Sequence, residues 1–260
     1  MNRLVILAKT AAFAALLIFY ACNQDDKKLT CSPYKPPAAI DRYDFPLRPG
    51  DAGWAGLKTG QDMVDTLQMP NSVLKTISTA GLMETCLDYP LLLDMIAFPS
   101  LQKGTQVQLG NFNGFGELAR RPESAALLLQ RYQQMGPACF PANATEQQRG
   151  AYTFTFTYIE MVMAQDEYIS KLSDEQRKAL MSEALNKYAQ EKQLFPDFYS
   201  VFNFKTLAFL MARIMIHDRY QPFLEAIAAD THLQAFVNDA EIRGRVEILE
   251  KAIKYANQFK

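Results

Sequence analysis

From Trp54 onward, apolar residues recur at intervals of three and four, the spacing that lines one face of an α-helix. Val73, Leu74 and Ile77 share a face behind Pro70, which suits a first helical position because its missing N–H would be unpaired there anyway. Leu82, Met83, Cys86 and Leu87 repeat the rhythm, and Pro90 separates them from Leu91–Phe98. Pro122-Glu123 opens a further helix carrying Ala126, Leu127, Leu129, Tyr132 and Met135. Thr145 with Gln148, and Ser173 with Gln176, have the capping-box spacing, in which two side chains satisfy free N–H groups at a helix start. Leu180, Met181, Ala184, Leu185, Tyr188 and Ala189 then form a stripe, and Val246, Leu249, Ile253 and Ala256 form the last one.

Two stretches carry a competing pattern. Tyr152–Tyr158 alternates with period two, as a strand does. It follows the Thr145 cap and runs unbroken into Ile159–Leu172, so helix is expected. Gln106–Leu109 is short enough to be a strand, but nothing evident pairs with it. The expectation is an all-α domain over 51–260, with a candidate subdomain break at 136–145. Short links favour an antiparallel helical bundle or a short helical-hairpin array. The lack of a fixed-period repeat favours the bundle.

The start of the chain has a different character. Ala11–Ala21 is an unbroken apolar run of 11 residues behind Arg3 and Lys9. A membrane-crossing helix needs about 20 such residues, whereas a basic start and a short apolar core fit a secretory signal. Ala21-Cys22 at its end resembles the cleavage site of a bacterial lipoprotein signal, although Phe19 stands where Leu or Val is usual. That resemblance implies a signal peptide over 1–21, a lipidated Cys22 and membrane attachment through the acyl chains. It also implies an outer-membrane envelope location, with Asp25 and Asp26 as an acidic signal for display at the outer surface. Residues 22–50, rich in Asp, Lys, Ser and Pro, are expected to be a flexible tether.

Composition narrows the classes further. The chain is 49% hydrophobic and 21% charged, which is globular and excludes long disorder. Basic and acidic residues number 27 and 28, so nothing favours nucleic acid. Beyond Cys22 the cysteines are Cys31, Cys86 and Cys139. An odd number leaves at least one unpaired or paired between molecules, and the spacing does not say which.

Candidate chemistry is sparse. His217 falls at the end of the apolar run Leu207–Ile216, where its charge suits the helix dipole, and His232 falls at a helix start. HExxH and GxSxG are missing, and neither a metal nor a cofactor is expected. Gly110–Gly116 reads as a loop, with Asn111 or Asn113 capping the helix that holds Leu118. Glu160, Asp166 and Glu167 lie on one segment, and with His217 they are the best candidates for acid–base or metal chemistry. Arg213 argues for a structural role instead. It is the one charge in a run apolar on every side, so it is expected to be buried and paired with Glu160 or Asp166. Breaking such a buried pair costs about 3–5 kcal/mol.

RPGDAGWAGL, STAGLMETCLDYPLL and FNGFGEL, all between Arg48 and Met135, resemble a segment found in uncharacterised Bacteroidota surface lipoproteins. The resemblance implies no activity. The leading expectation is therefore a lipid-anchored, non-catalytic interaction or scaffold module with a protein or glycan partner. The alternatives are an envelope hydrolase or metal-dependent enzyme using Glu160–Glu167 with His217, and a small-ligand or glycan binder with an aromatic groove at Trp54 or at Tyr152, Phe154, Phe156 and Tyr158.

Overall fold

Polar side chains fix where the helices begin. Thr59, Ser78, Ser100, Thr145, Ser173, Ser200 and Asp230 each accept a backbone N–H from the turn that follows, satisfying donors that a helix start leaves free. Thr145/Gln148 and Ser173/Gln176 form complete capping boxes, as do Thr59/Asp62 and Ser200/Asn203. The computed structural model describes residues 31, 33–140 and 143–259. The signal 1–21, Cys22, Asp25 and Asp26 lie outside the described residues.

The first half comprises α1 (Gly60–Thr66), α2 (Asn71–Thr76), α3 (Thr79–Leu87), α4 (Leu101–Asn111), α5 (Asn113–Leu118) and α6 (Ser124–Gln133), with 3-10 turns at Trp54–Gly56 and Leu92–Ala97. The second half comprises α7 (Glu146–Met163), α8 (Asp166–Ile169), α9 (Asp174–Gln193), α10 (Val201–His217), α11 (Gln221–Ala228), α12 (Thr231–Asp239) and α13 (Glu247–Ala256). The chain is all-α, with no strand among the described residues. None of their helices is long and apolar enough to cross a membrane.

The helix α10 is the centre of the packing. Leu207, Ala208, Phe209, Leu210, Met211, Ala212, Ile214 and Met215 are all fully buried. Each of the larger ones contributes about 1.5–3 kcal/mol through the water it sheds. Around α10 pack α7, α8, α9, α11, α12 and α13. One helix touching six others is a bundle; in a hairpin array each unit meets only its neighbours in sequence. Residues 106–109 lie within α4, which the Ser100 cap starts. Residue Gly104 lets α4 approach the 3-10 turn, because a Cβ there would collide with the Met95 carbonyl.

Two boundaries differ from expectation. Residues 31–50 are not a free tether but a strap bound to the body. Phe45 is buried against Tyr89 and Phe112, with ring centroids at 6.0 and 5.5 Å, and Tyr89 stacks on Phe112 at 4.5 Å. The Tyr43 N–H donates to Thr85 Oγ1 at 3.0 Å, and the Ser78 N–H and hydroxyl both donate to Asp41. Gly81 makes room for this contact, since a Cβ there would stand 2.7 Å from the Asp41 carbonyl oxygen. Proline keeps this strand-like segment extended, and extended chain with apolar residues at alternate positions packs as readily as it hydrates.

The second difference is at 136–145, which is no subdomain break: Cys31–Lys260 forms one unit. A disulfide ties Cys139 to Cys31 across 108 residues. Hydroxyls of Tyr152 and Tyr199 donate to the Gly136 and Pro137 carbonyls at 2.6 and 2.8 Å. Cys86 is free and buried, and burial pushes its thiol pKa well up, away from the reactive thiolate.

Candidate functional site

The acids expected to serve with His217 are not brought together with it. Glu160 bonds to Thr206 on α10. His217 lies 11 residues further along that helix, about 16 Å away at 1.5 Å per residue. It lines a shallow groove with Asp174, Arg177 and Asp218, where Arg177 binds both acids. Asp166 meets Arg213 instead, at 2.7 Å.

That pair is not the buried pair expected. The Arg213 side chain is 20% exposed and the Asp166 side chain 76%. Arg213 faces the link between α7 and α8, where its Nε donates to the Ala164 carbonyl at 3.3 Å. Its aliphatic stem lies along the core while its head reaches solvent. Glu160 is no partner of Arg213 at all.

Glu160 belongs to a polar centre closed inside the bundle. Tyr132 on α6 donates to its Oε1 at 2.9 Å, and Thr206 bonds to its Oε2. Nearby on α9 stand Lys187 and Glu191, 1% and 0% exposed. Lys187 Nζ donates to the Met135 carbonyl at 2.6 Å and to Glu183 at 2.7 Å, and lies over the Tyr132 ring at 4.5 Å. Both oxygens of Glu191 are buried without a hydrogen-bond partner among the described residues.

Burial disfavours charge on each of these groups. It raises the Glu160 pKa to about 8, partly opposed by the hydroxyls of Thr206 and Tyr132 and by the Lys187 charge. It also raises Glu191, reinforced by Glu160, and lowers Lys187 against the pull of Glu183. At neutral pH a Glu160 carboxyl raised to about 8 keeps its proton, while Lys187 Nζ lies against Glu183. A protonated Glu160 then donates to Thr206 Oγ1, which donates to the Asn203 carbonyl at 3.0 Å. The centre is sealed from solvent, so it fixes how four helices meet and offers no route to a substrate.

A second place where polar groups meet an opening lies beneath the strap. Arg131 on α6 donates through Nε to Glu84 on α3 at 3.0 Å, and Tyr34 donates to the same Glu84 oxygen at 2.8 Å. The guanidinium stacks on the Tyr34 ring at 3.4 Å, a cation–π contact. Burial raises the Tyr34 pKa to about 12, with the Glu84 bond adding to it, and lowers that of Arg131. A cavity of about 170 Å³ opens here, lined by Arg42, Glu84, Asp88, Arg131 and Tyr158 among others.

The aromatic residues of α7 do not form an open platform. Phe156 is fully buried, the Tyr152 hydroxyl is spent on Gly136, and Phe154 packs between Tyr158 and Phe202 at 6.2 and 5.9 Å. Trp54 is half-buried in its 3-10 turn. Asn113 does not cap α5, whose start has no side-chain cap. Its amide instead brackets Met69, accepting from the backbone N–H at 3.0 Å and donating to the carbonyl at 2.8 Å.

Lys187, Glu191, Arg131 and Glu84 escaped the reading of the sequence. A signal for two of them is present: Leu180, Ala184, Lys187 and Glu191 are spaced four, three and four apart, in phase with the buried stripe of α9. No family model, curated protein or solved structure matches the chain.

Proposed function

We propose that the chain is an exported helical module, anchored to the outer membrane through lipid on Cys22, that works by binding a protein or glycan partner and not by catalysis. The observation that carries export is the Cys31–Cys139 disulfide. Such bonds persist in oxidising compartments and are rare in the reducing cytosol. Cys31 follows Cys22 by nine residues, a link of roughly 30 Å at full extension. Support for binding over catalysis comes from the divergence of Glu160, Asp166 and His217 into three different surroundings.

The test is metabolic labelling with palmitate in the native host, with detergent partitioning and non-reducing gels. Wild type is expected to carry label, enter the detergent phase and run with its disulfide formed. Cys22→Ala is expected to lose label and partitioning while keeping the disulfide. Equal labelling of the two chains would overturn the anchor, and a wild type isolated with Cys31 and Cys139 reduced would overturn export. Asp25 and Asp26 belong to the same proposal: alanine at both is expected to protect the body from protease added to intact cells.

A further inference from the structure

Between Pro90 and Pro99 the chain makes the 3-10 turn Leu92–Ala97, in which side chains three apart stand in line. Leu92 and Met95 face the core and are fully buried. Leu91, Asp94 and Ala97 edge an open groove, closed on its other sides by Met63 and Val64 of α1 and Gln108 of α4. Leu93 and Ile96 form the third line and point outward, 39% and 47% exposed. Only four large apolar side chains are this exposed among the described residues, and these two are neighbours. Single exposed apolar residues are ordinary, whereas a group of them beside a groove marks a contact surface. Gln108 is 4% exposed, and its Oε1 is shut off from solvent without a partner. Its Nε2 has no acceptor among the described residues either, and is the end of the amide left to the groove. Asp94 is the one charged residue along the groove and in the whole stretch Tyr89–Ser100. No described cation or donor meets its carboxylate; loss of water to the apolar surroundings alone acts on it and raises its pKa.

We propose that Leu93, Ile96 and the groove beside them dock an extended segment of a protein partner that carries a basic residue between large apolar ones. The inference rests on the reading of the chain as a binder, and it chooses protein over glycan. Water shed from Leu93 and Ile96 rewards an apolar side chain and not a hydroxylated sugar. The basic residue meets Asp94, the charge complement that this surface offers. An extended segment, unlike a helix, leaves main-chain carbonyls free to accept from Gln108 Nε2. Two other occupants conflict with the charge. A second copy joined through the same face brings its own Asp94 against this one. An anionic lipid surface meets an acid, with no base in the turn to hold it.

The experiment is a methyl NMR titration of the purified, oxidised full chain with the end-blocked peptides Gly-Leu-Lys-Leu-Gly, Gly-Leu-Glu-Leu-Gly and Gly-Ser-Lys-Ser-Gly. The first is expected to shift the methyl signals of Leu93, Ile96 and Val64 saturably. The second should bind about tenfold more weakly, as an attractive surface pair becomes a repulsive one, and the third more than about tenfold more weakly, for want of apolar burial. Asp94→Lys is expected to reverse the preference between the first two. Leu93→Ser with Ile96→Ser should remove binding of both at an unchanged melting temperature, since the side chains are exposed. No saturable shift at these methyls overturns the proposal. So does equal affinity for the Lys and Glu peptides, or a preference that survives Asp94→Lys. Sedimentation as a dimer, or binding to vesicles of anionic phospholipid, overturns it where the serine pair abolishes the effect. A glycan array that binds wild type and the serine pair alike overturns this surface while leaving the chain a binder, and acylation and oxidation of the chain are read separately.

Discussion

Replacing Glu160 with Gln tests the reading of the sealed polar centre. The Glu160 carboxyl titrates near pH 8 in the folded chain, because burial opposes its charge, against an ordinary value of 4.5. A raised acid binds its proton more tightly when folded, so its stabilisation is complete below pH 4.5 and is lost as pH rises through about 8. Between those values each pH unit costs about 1.4 kcal/mol. At pH 7 the loss is therefore roughly 3 kcal/mol relative to acid conditions, an order-of-magnitude figure. Glu191 acts in the same direction, and Lys187, whose charged form burial disfavours, acts in the opposite one. Gln is neutral at every pH and fits the network. Its carbonyl oxygen accepts from Tyr132, its amide donates to Thr206 Oγ1, and Thr206 still donates to Asn203. Urea unfolding at pH 5, 7 and 8.5 measures the effect. Wild type is expected to lose stability steadily across the series. Glu160→Gln should match wild type at pH 5, exceed it at pH 8.5 and show a shallower slope. Adding Glu191→Gln should flatten the profile further. A wild-type stability that is level from pH 5 to 8.5, or a Glu160→Gln slope equal to that of wild type, would refute the argument that Glu160 is held protonated.

Two further substitutions test the surface pair and the strap. Arg213→Met is expected to change stability by only about 0.2–1 kcal/mol, as for a pair at the surface, because the Asp166 side chain is 76% exposed and stays hydrated when its partner is removed; a loss above about 3 kcal/mol in urea unfolding would restore the buried reading. Gly81→Ala places a Cβ 2.7 Å from the Asp41 carbonyl oxygen and is expected to loosen the strap, seen as faster protease cleavage within residues 33–45 and a loss of about 1–3 kcal/mol, whereas a cleavage rate equal to wild type would mean that the strap has room to shift.

The helices were legible because their periodicity and their caps agree. The faces were legible only where a helix has two unlike sides. In α9 the exposed side is polar, so the phase of Leu180 and Ala184 defines an inward direction. Lys187 and Glu191 fall on it and are buried. Charged residues in phase with an apolar stripe are thus a readable sign of a buried polar centre, and Glu160 on α7 supplies the other side of this one. The same reasoning fails in α10. Leu207–Ile216 is apolar all round, so no phase distinguishes inside from outside, and Arg213 carries no address. What decides its position is tertiary: Arg213 reaches Asp166 and solvent on a side of α10 that its neighbours leave partly open. The strap was hidden for a different reason. Proline and charge mark 31–50 as extended, and extension alone does not separate a hydrated linker from a segment lying in a groove. The apolar side chains of Tyr34, Tyr43 and Phe45 decide it, together with a cysteine partner 108 residues away. The cavity that holds Arg131 and Arg42 exists only after that docking. A cavity assembled from a strap and three helices has no local spacing to read.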